Sequence, residues 1–140
     1  DVAARARDSV QLAGLRHHLQ PDSVELQIQQ TTSLLVKGDP EELRTVLANL
    51  VDNAVKYSGH AVRVTVSVVS PAPHSVWVRV IDRGVGIPKR QLKRIFNRFY
   101  RVQARGLRHI TGTGLGLYIV RSIGGGDGPE EATPTQAGPR

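Results

Sequence analysis

The chain contains no cysteine, which removes disulfide frameworks and thiolate metal sites from consideration and fits a reducing compartment. A structural zinc is therefore not expected. Long apolar runs are missing as well. Stretches such as Val66 to Val69 are far too short to cross a bilayer, and Asp1-Val2-Ala3-Ala4-Arg5 offers no apolar signal-peptide core. The expectation is a soluble chain that makes no membrane contact of its own. Acidic residues are absent between Arg83 and Arg108, a segment that carries Lys89, Arg90, Lys93, Arg94, Arg98, Arg101 and Arg105. The net charge of +7 would ordinarily raise nucleic acid or an anionic membrane as partner. Here the basic residues are concentrated between two glycine motifs, so a small polyphosphate is the more economical ligand. A solvated basic face with no dedicated ligand is the alternative.

At 140 residues the chain suits one domain with a core of its own. Apolar residues at helical spacing predict a helix from Val2 to Leu19, ending before Pro21. Val24, Leu26 and Ile28 alternate with polar residues and predict a half-buried strand; Leu34-Leu35-Val36 is a second strand candidate. Asp39-Pro40-Glu41-Glu42 is a strong helix start, with Asp39 able to cap and Pro40 suited to the first helical position. That helix is expected to run to about Tyr57 and close at Ser58-Gly59. Alternating valines at 62–68 and 76–80, separated by Ser70-Pro71-Ala72-Pro73-His74, predict a hairpin. Further helices are expected from Pro88 to about Phe96 and from Leu115 to Ile123, joined by an irregular stretch. From residue 124 to 140 no large apolar side chain occurs, and a disordered tail is expected there.

Three segments carry the chemistry. On a helical wheel with Asn49 at zero, Asn53 lies about 40° to one side, Lys56 about 20° to the other, and the apolar stripe begins about 60° round at Val46. Two amides and an ammonium thus line the rim of the buried face, able to serve a hard cation and a phosphate. Ordinary exposed or internally bonded amides are the alternative. Asp82 shares strand parity with Val76, Val78 and Val80, so it faces the core at the end of its strand and needs a donor there. An adenine amino group is suitable, with Gly84 and Gly86 letting a planar ligand approach the backbone. A turn in which Asp82 satisfies its own backbone is the other possibility. Finally, the glycine cluster Gly112-Thr113-Gly114-Leu115-Gly116-Leu117 opens a helix and can bring backbone amides against phosphate. The intervening Ile95-Phe96-Asn97-Arg98-Phe99-Tyr100-Arg101 has the aromatic and basic interleaving of single-strand nucleic-acid binders. Its place before an arginine-bearing loop instead suits anchoring a lid over phosphates.

In this order the segments resemble the N, G1, F and G2 boxes of the catalytic and ATP-binding domain of sensor histidine kinases, a Bergerat-fold ATPase domain shared with gyrase, the Hsp90 chaperone and MutL. The resemblance covers Val2 to Ile123 and implies an α+β fold: a two-layer α/β sandwich whose mixed sheet is covered on one face by helices. It implies residues 1–123 as the ATP-binding domain, with ATP and Mg²⁺ as cofactors. Asn53 would coordinate Mg²⁺, Lys56 would contact phosphate, and Tyr57 would pack near the nucleotide. Asn49 takes the first N-box position, where hydrolytic relatives carry a water-activating glutamate, so it suits phosphoryl transfer to a protein histidine. Asp82 would read adenine in a pocket shaped by Gly84, Gly86 and Ile87. Phe96 and Phe99 match the F box, and Arg98 and Arg101 are the lid arginines nearest to it. Gly112, Thr113, Gly114, Leu115, Gly116 and Leu117 match the phosphate-facing G2 box.

The implied activity is transfer of the ATP γ-phosphoryl group to a histidine on a separate dimerisation domain, with a response regulator served indirectly. The implied place is the cytoplasm, whether or not the parent protein is anchored to a membrane. His17-His18-Leu19-Gln20-Pro21 lacks the His-Glu and Thr-Pro pattern of an acceptor helix, so the acceptor is expected on another chain or in a preceding region. The polar residues after Ile123 stand where the family has two closing strands. Their loss, by truncation or a frame shift, is expected to leave the second hairpin strand at a sheet edge. A catalytically inactive nucleotide-binding or interaction module is one alternative. An anti-sigma-factor-type serine kinase is another, against which Asn49 argues.

Overall fold

In the computed structural model the described residues are 1–29, 33–59, 61–73, 75–92, 94–95, 97–98 and 101. They form helix α1 (Val2–Arg16), strand β1 (Val24–Ile28), helix α2 (Pro40–Lys56), strands β2 (Val64–Ala72) and β3 (Ser75–Asp82), and a 3-10 turn at Lys89–Gln91. Asp1 starts α1 by accepting from the amides of Ala3 and Ala4 at 2.8 and 3.2 Å. Asp39 does the same for α2, accepting from Glu41 and Glu42 with Pro40 in the first turn. Each cap satisfies amides that the first helical turn cannot pair internally. Helix α2 ends at Tyr57, and Gly59 follows in the left-handed region at φ 78°, where glycine carries no steric penalty.

The sheet order is β1-β2-β3. Strand β1 runs parallel to β2, with Val24 opposite Val64 and Ile28 opposite Val68. A parallel pair needs a crossover, and α2 supplies it. Strand β3 returns antiparallel, with Val64 opposite Asp82 and Val68 opposite Val78. The valine alternation works as read: Val64, Val66 and Val68 are buried beneath the helices. On β3, Val76, Val78 and Val80 are half-buried, while Trp77 and Ile81 face outward. Arg79 shares that outer face and lies 5.3 Å from the Trp77 ring centroid, within cation–π range.

Both helices lie on the inner face of the sheet. Helix α1 contributes mostly small side chains there, namely Val2, Ala3, Ala6 and Ala13, whereas α2 contributes Leu47, Val51, Ala54 and Val55. The small face lets α1 settle close to α2. Val66 and Val68 are fully buried, each worth about 1.5–3 kcal/mol relative to exposure. Ser9 is buried too, its hydroxyl donating to the carbonyl of Arg5 at 2.9 Å. The result is the expected α+β class, two layers with a mixed sheet covered on one face.

Three expectations are corrected. Helix α1 stops at Arg16, short of Leu19, and His18 adopts φ 50° as the chain leaves it. Leu34-Leu35-Val36 is not a strand. Leu34 is buried and its carbonyl accepts from Val2 at 2.9 Å, while Leu35 and Val36 are exposed. A buried side chain and a helix N-terminus seeking acceptors account for Leu34 without a ladder. Among the described residues after Pro88 the chain forms a 3-10 turn and further turns, without a regular helix. No side chain caps this start, cations there oppose the helix dipole, and Lys89/Lys93 and Arg90/Arg94 set like charges four residues apart. Among the described residues no strand pairs with the outer edge of β3. The expected helix at 115–123 and the tail at 124–140 lie outside the described residues.

Candidate functional site

The C-terminal half of α2 presents Asn49 and Asn53 half-buried and Lys56 exposed, which is the rim position their spacing implies. Among the described residues neither amide side chain makes a hydrogen bond. Half-buried amides of this kind are open to solvent or to a ligand, and the side-chain oxygen of an asparagine is a type of donor that Mg²⁺ accepts.

Beside the end of this helix lies the segment that follows β3. Asp82 closes the strand with the same inward parity as Val80, and its Oδ1 accepts from the Gly84 amide at 2.8 Å. The self-satisfied turn is therefore present, but it uses one oxygen only. Oδ2 makes no bond among the described residues, and no polar side-chain atom there is buried without a partner, so this oxygen is accessible to a donor. The Val85 amide donates to the Tyr57 carbonyl at 3.2 Å, fastening the loop to the C-terminal cap of α2. Gly84 makes this approach possible. A Cβ at that position would stand 2.0 Å from the Tyr57 oxygen. The glycine is thus required first by the protein's own backbone, a reason the sequence reading had assigned to a ligand. Gly86 follows at φ 70°, where a side chain would be strained. Ile87 is half-buried.

The loop of Asp82, Gly84 and Gly86 is thus joined to Tyr57, the cap of the helix that carries Asn49, Asn53 and Lys56, through a hydrogen bond and a close backbone contact. Arg98 is exposed and Arg101 half-buried, both beyond the 3-10 turn. Phe96, Phe99, Gly112, Thr113, Gly114, Leu115, Gly116 and Leu117 lie outside the described residues.

One residue of this helix escaped the sequence reading. Asp52, between the two asparagines, binds across to the end of α1: Arg16 Nη1 donates to its Oδ2, and His17 Nε2 donates to its Oδ1 at 3.0 Å. The Asp52 side chain is only 17% exposed. Pairing across 35 or 36 positions leaves no periodic trace in a sequence. The one available signal was an acid on the rim of α2 with two hydrogen-bond-donating side chains, Arg16 and His17, at the end of α1.

The family model described as histidine kinase-, DNA gyrase B- and HSP90-like ATPase matches residues 38–126, which is more than half of the chain and runs through both glycine motifs. The chain belongs to this ATPase family. Among its relatives, the sensor histidine kinase WalK of Bacillus subtilis is 40% identical over 91 residues, covering 64% of this chain and 15% of its own length. The sensor-like histidine kinase SenX3 of Mycolicibacterium smegmatis is 38% identical over 110 residues, covering 77% of this chain and 28% of its own. The chain therefore spans less than a third of these curated relatives. Among solved structures, the mycobacterial sensor histidine kinase MprB superposes with a TM-score of 0.69 at 28% identity, over 86% of this chain and 72% of that one. Full-length ShkA in complex with AMPPNP gives a TM-score of 0.67 at 26% identity, over 89% of this chain and 25% of that one. The family's fold is thus the α+β sandwich described above. Among the described residues no helix is long and apolar enough to cross a membrane.

Proposed function

We propose that this chain is the ATP-binding catalytic domain of a sensor histidine kinase, transferring the γ-phosphoryl group of Mg-ATP to a histidine on a separate dimerisation domain. The observation that carries the reading is the fastening of the Asp82 loop to the cap of α2, through Val85 to Tyr57 and Gly84 to Asp82. It sets an accessible carboxylate oxygen beside the end of a helix whose Asn49 and Asn53 side chains make no hydrogen bond among the described residues. Relatives named as sensor histidine kinases and a structural neighbour holding an ATP analogue support the same conclusion.

Each residue has a separable task. Asp82 Oδ2 would accept from the exocyclic amine of adenine, a contact a guanine carbonyl cannot make. Lys56, exposed at the last turn of α2, would place its ammonium against a phosphate oxygen. Asn53 would hold Mg²⁺ through its amide oxygen. Mg²⁺, when bound, would neutralise charge on the phosphates. Asn49 cannot act as a general base, so an unactivated water competes poorly with a histidine held in line. Arg98, Arg101 and the glycine motif at 112–117 would complete the phosphate side. The acceptor domain and, beyond it, a response regulator are the proposed partners, acting on the cytoplasmic side where ATP is found.

His17 is not the proposed acceptor, because its Nε2 is engaged by Asp52. Incubation with labelled ATP and a histidine-bearing acceptor domain is the test. Acid-labile, base-stable phosphate on the acceptor supports the proposal. Strong self-labelling of this chain at His17 or His18 would overturn it.

A further inference from the structure

We infer that Asp52, held by Arg16 and His17, is a positioning residue for the Mg²⁺-binding amide of Asn53, acting by fixing the rotation of α2 about its axis. The inference rests on the nucleotide reading above and extends it to three residues to which that reading gives no role.

The geometry of α2 carries the argument. On the helix Asp52 lies about 60° from Asn49 on one flank, and Asn53 lies about 40° from Asn49 on the opposite flank. Helix α1 therefore grips one side of α2 while the amide proposed to meet the cation projects from the other. The grip is bidentate: Arg16 takes Oδ2 and His17 takes Oδ1. At the C-terminal end the Tyr57 carbonyl is fastened to Val85, so the helix is held along one flank and at its cap.

Apolar packing by Leu47, Val51, Ala54 and Val55 keeps α2 on the sheet but is not directional. Hydrogen bonds are directional and weaken steeply when misaligned. Rotation matters here because side-chain ends stand about 5–6 Å from the helix axis, so a turn of about 10° moves the Asn53 oxygen by about 1 Å. Mg²⁺ demands near-ideal distances, and displacements of that size are costly. The Arg16 side chain is 50% exposed, and such pairs contribute little to stability. Orientation is the contribution this pair is placed to make.

The test uses the full chain and titrates ATP with Mg²⁺ and with chelator, alongside thermal melting, for wild type, Asp52→Ala, the double variant Arg16→Ala/His17→Ala, and the triple variant. The expected result is that Asp52→Ala and the double variant each lose about tenfold of the affinity gained from Mg²⁺, as supporting partners of metal sites do, while metal-free affinity stays within about twofold. The triple variant should be no worse than Asp52→Ala, because the residues act as one unit. If Asp52→Ala fails to fold, the double variant at the solvent end of α1 carries the test. An unchanged Mg²⁺-dependent gain in the double variant overturns the inference, as does an equal loss with and without metal, which marks the pair as a fastening between helices only. A wild-type chain that does not bind ATP overturns the nucleotide reading and this inference with it.

Discussion

Replacing Gly84 by alanine tests the join between α2 and the loop after β3. The added Cβ would stand 2.0 Å from the Tyr57 carbonyl oxygen and 2.8 Å from both the Tyr57 carbonyl carbon and Asp82 Oδ1. Two of these three atoms are backbone, so no side-chain rotamer relieves the contact, and the loop must move by about 1 Å or more. Overpacking of this kind costs about 1–3 kcal/mol. The displaced Val85–Tyr57 hydrogen bond adds about 1 kcal/mol, and reduced freedom of the unfolded chain returns about 0.4–1 kcal/mol. The net expectation is a loss of about 2 kcal/mol, or about 8 °C in Tm for a domain of this size. ATP affinity should fall with it, because Asp82 moves with the loop. Gly14→Ala in α1 is the control, since a Cβ there meets nothing within 4 Å and should stabilise the helix by about 0.5–1 kcal/mol. Circular-dichroism melting with parallel ATP titration reads both. A Gly84→Ala chain as stable as wild type with undiminished ATP affinity would refute the reasoning.

Asn53→Ala should abolish the Mg²⁺-dependent part of ATP affinity with little change in Tm, because the amide makes no bond among the described residues; calorimetric titration with and without Mg²⁺ checks it. Asp82→Asn should preserve the turn to Gly84 through its amide oxygen but weaken discrimination of ATP from GTP, read as the ratio of their dissociation constants. Asp39→Ala removes the cap on α2 and should cost about 1 kcal/mol, measured by urea unfolding, without changing the ATP-to-GTP ratio.

Much of the framework was legible because it rests on local signals. Asp39-Pro40 announces the start of α2, and alternating valines set the register that makes Val64, Val66 and Val68 the inner face. The same parity placed Asp82 inward at the end of β3. Most of the failures have a common physical cause, which is that tertiary partners decided them. Leu34 is apolar because it covers the first turn of α1, and nothing in three consecutive residues distinguishes that from a strand. The segment after Pro88 has the apolar content of a helix but lacks a side-chain cap and carries like charges along one face. Gly84 was singled out for a ligand, yet the constraint the structure gives it is the Tyr57 carbonyl, a contact between segments far apart in sequence. Asp52 went unnoticed for the same reason, its partners being Arg16 and His17 on another helix. Asn49, Asn53, Lys56 and Asp82 could be singled out as candidates because each sits on a locally recognisable element at or beyond the edge of its apolar face.

Equilibrium titration of the full chain with ATP, in the presence and absence of Mg²⁺ and with GTP as competitor, tests the central claim most directly. The account predicts saturable binding of ATP that strengthens with Mg²⁺ and prefers ATP to GTP. A chain that melts cooperatively, and is therefore folded, but binds ATP neither with nor without Mg²⁺ would contradict it.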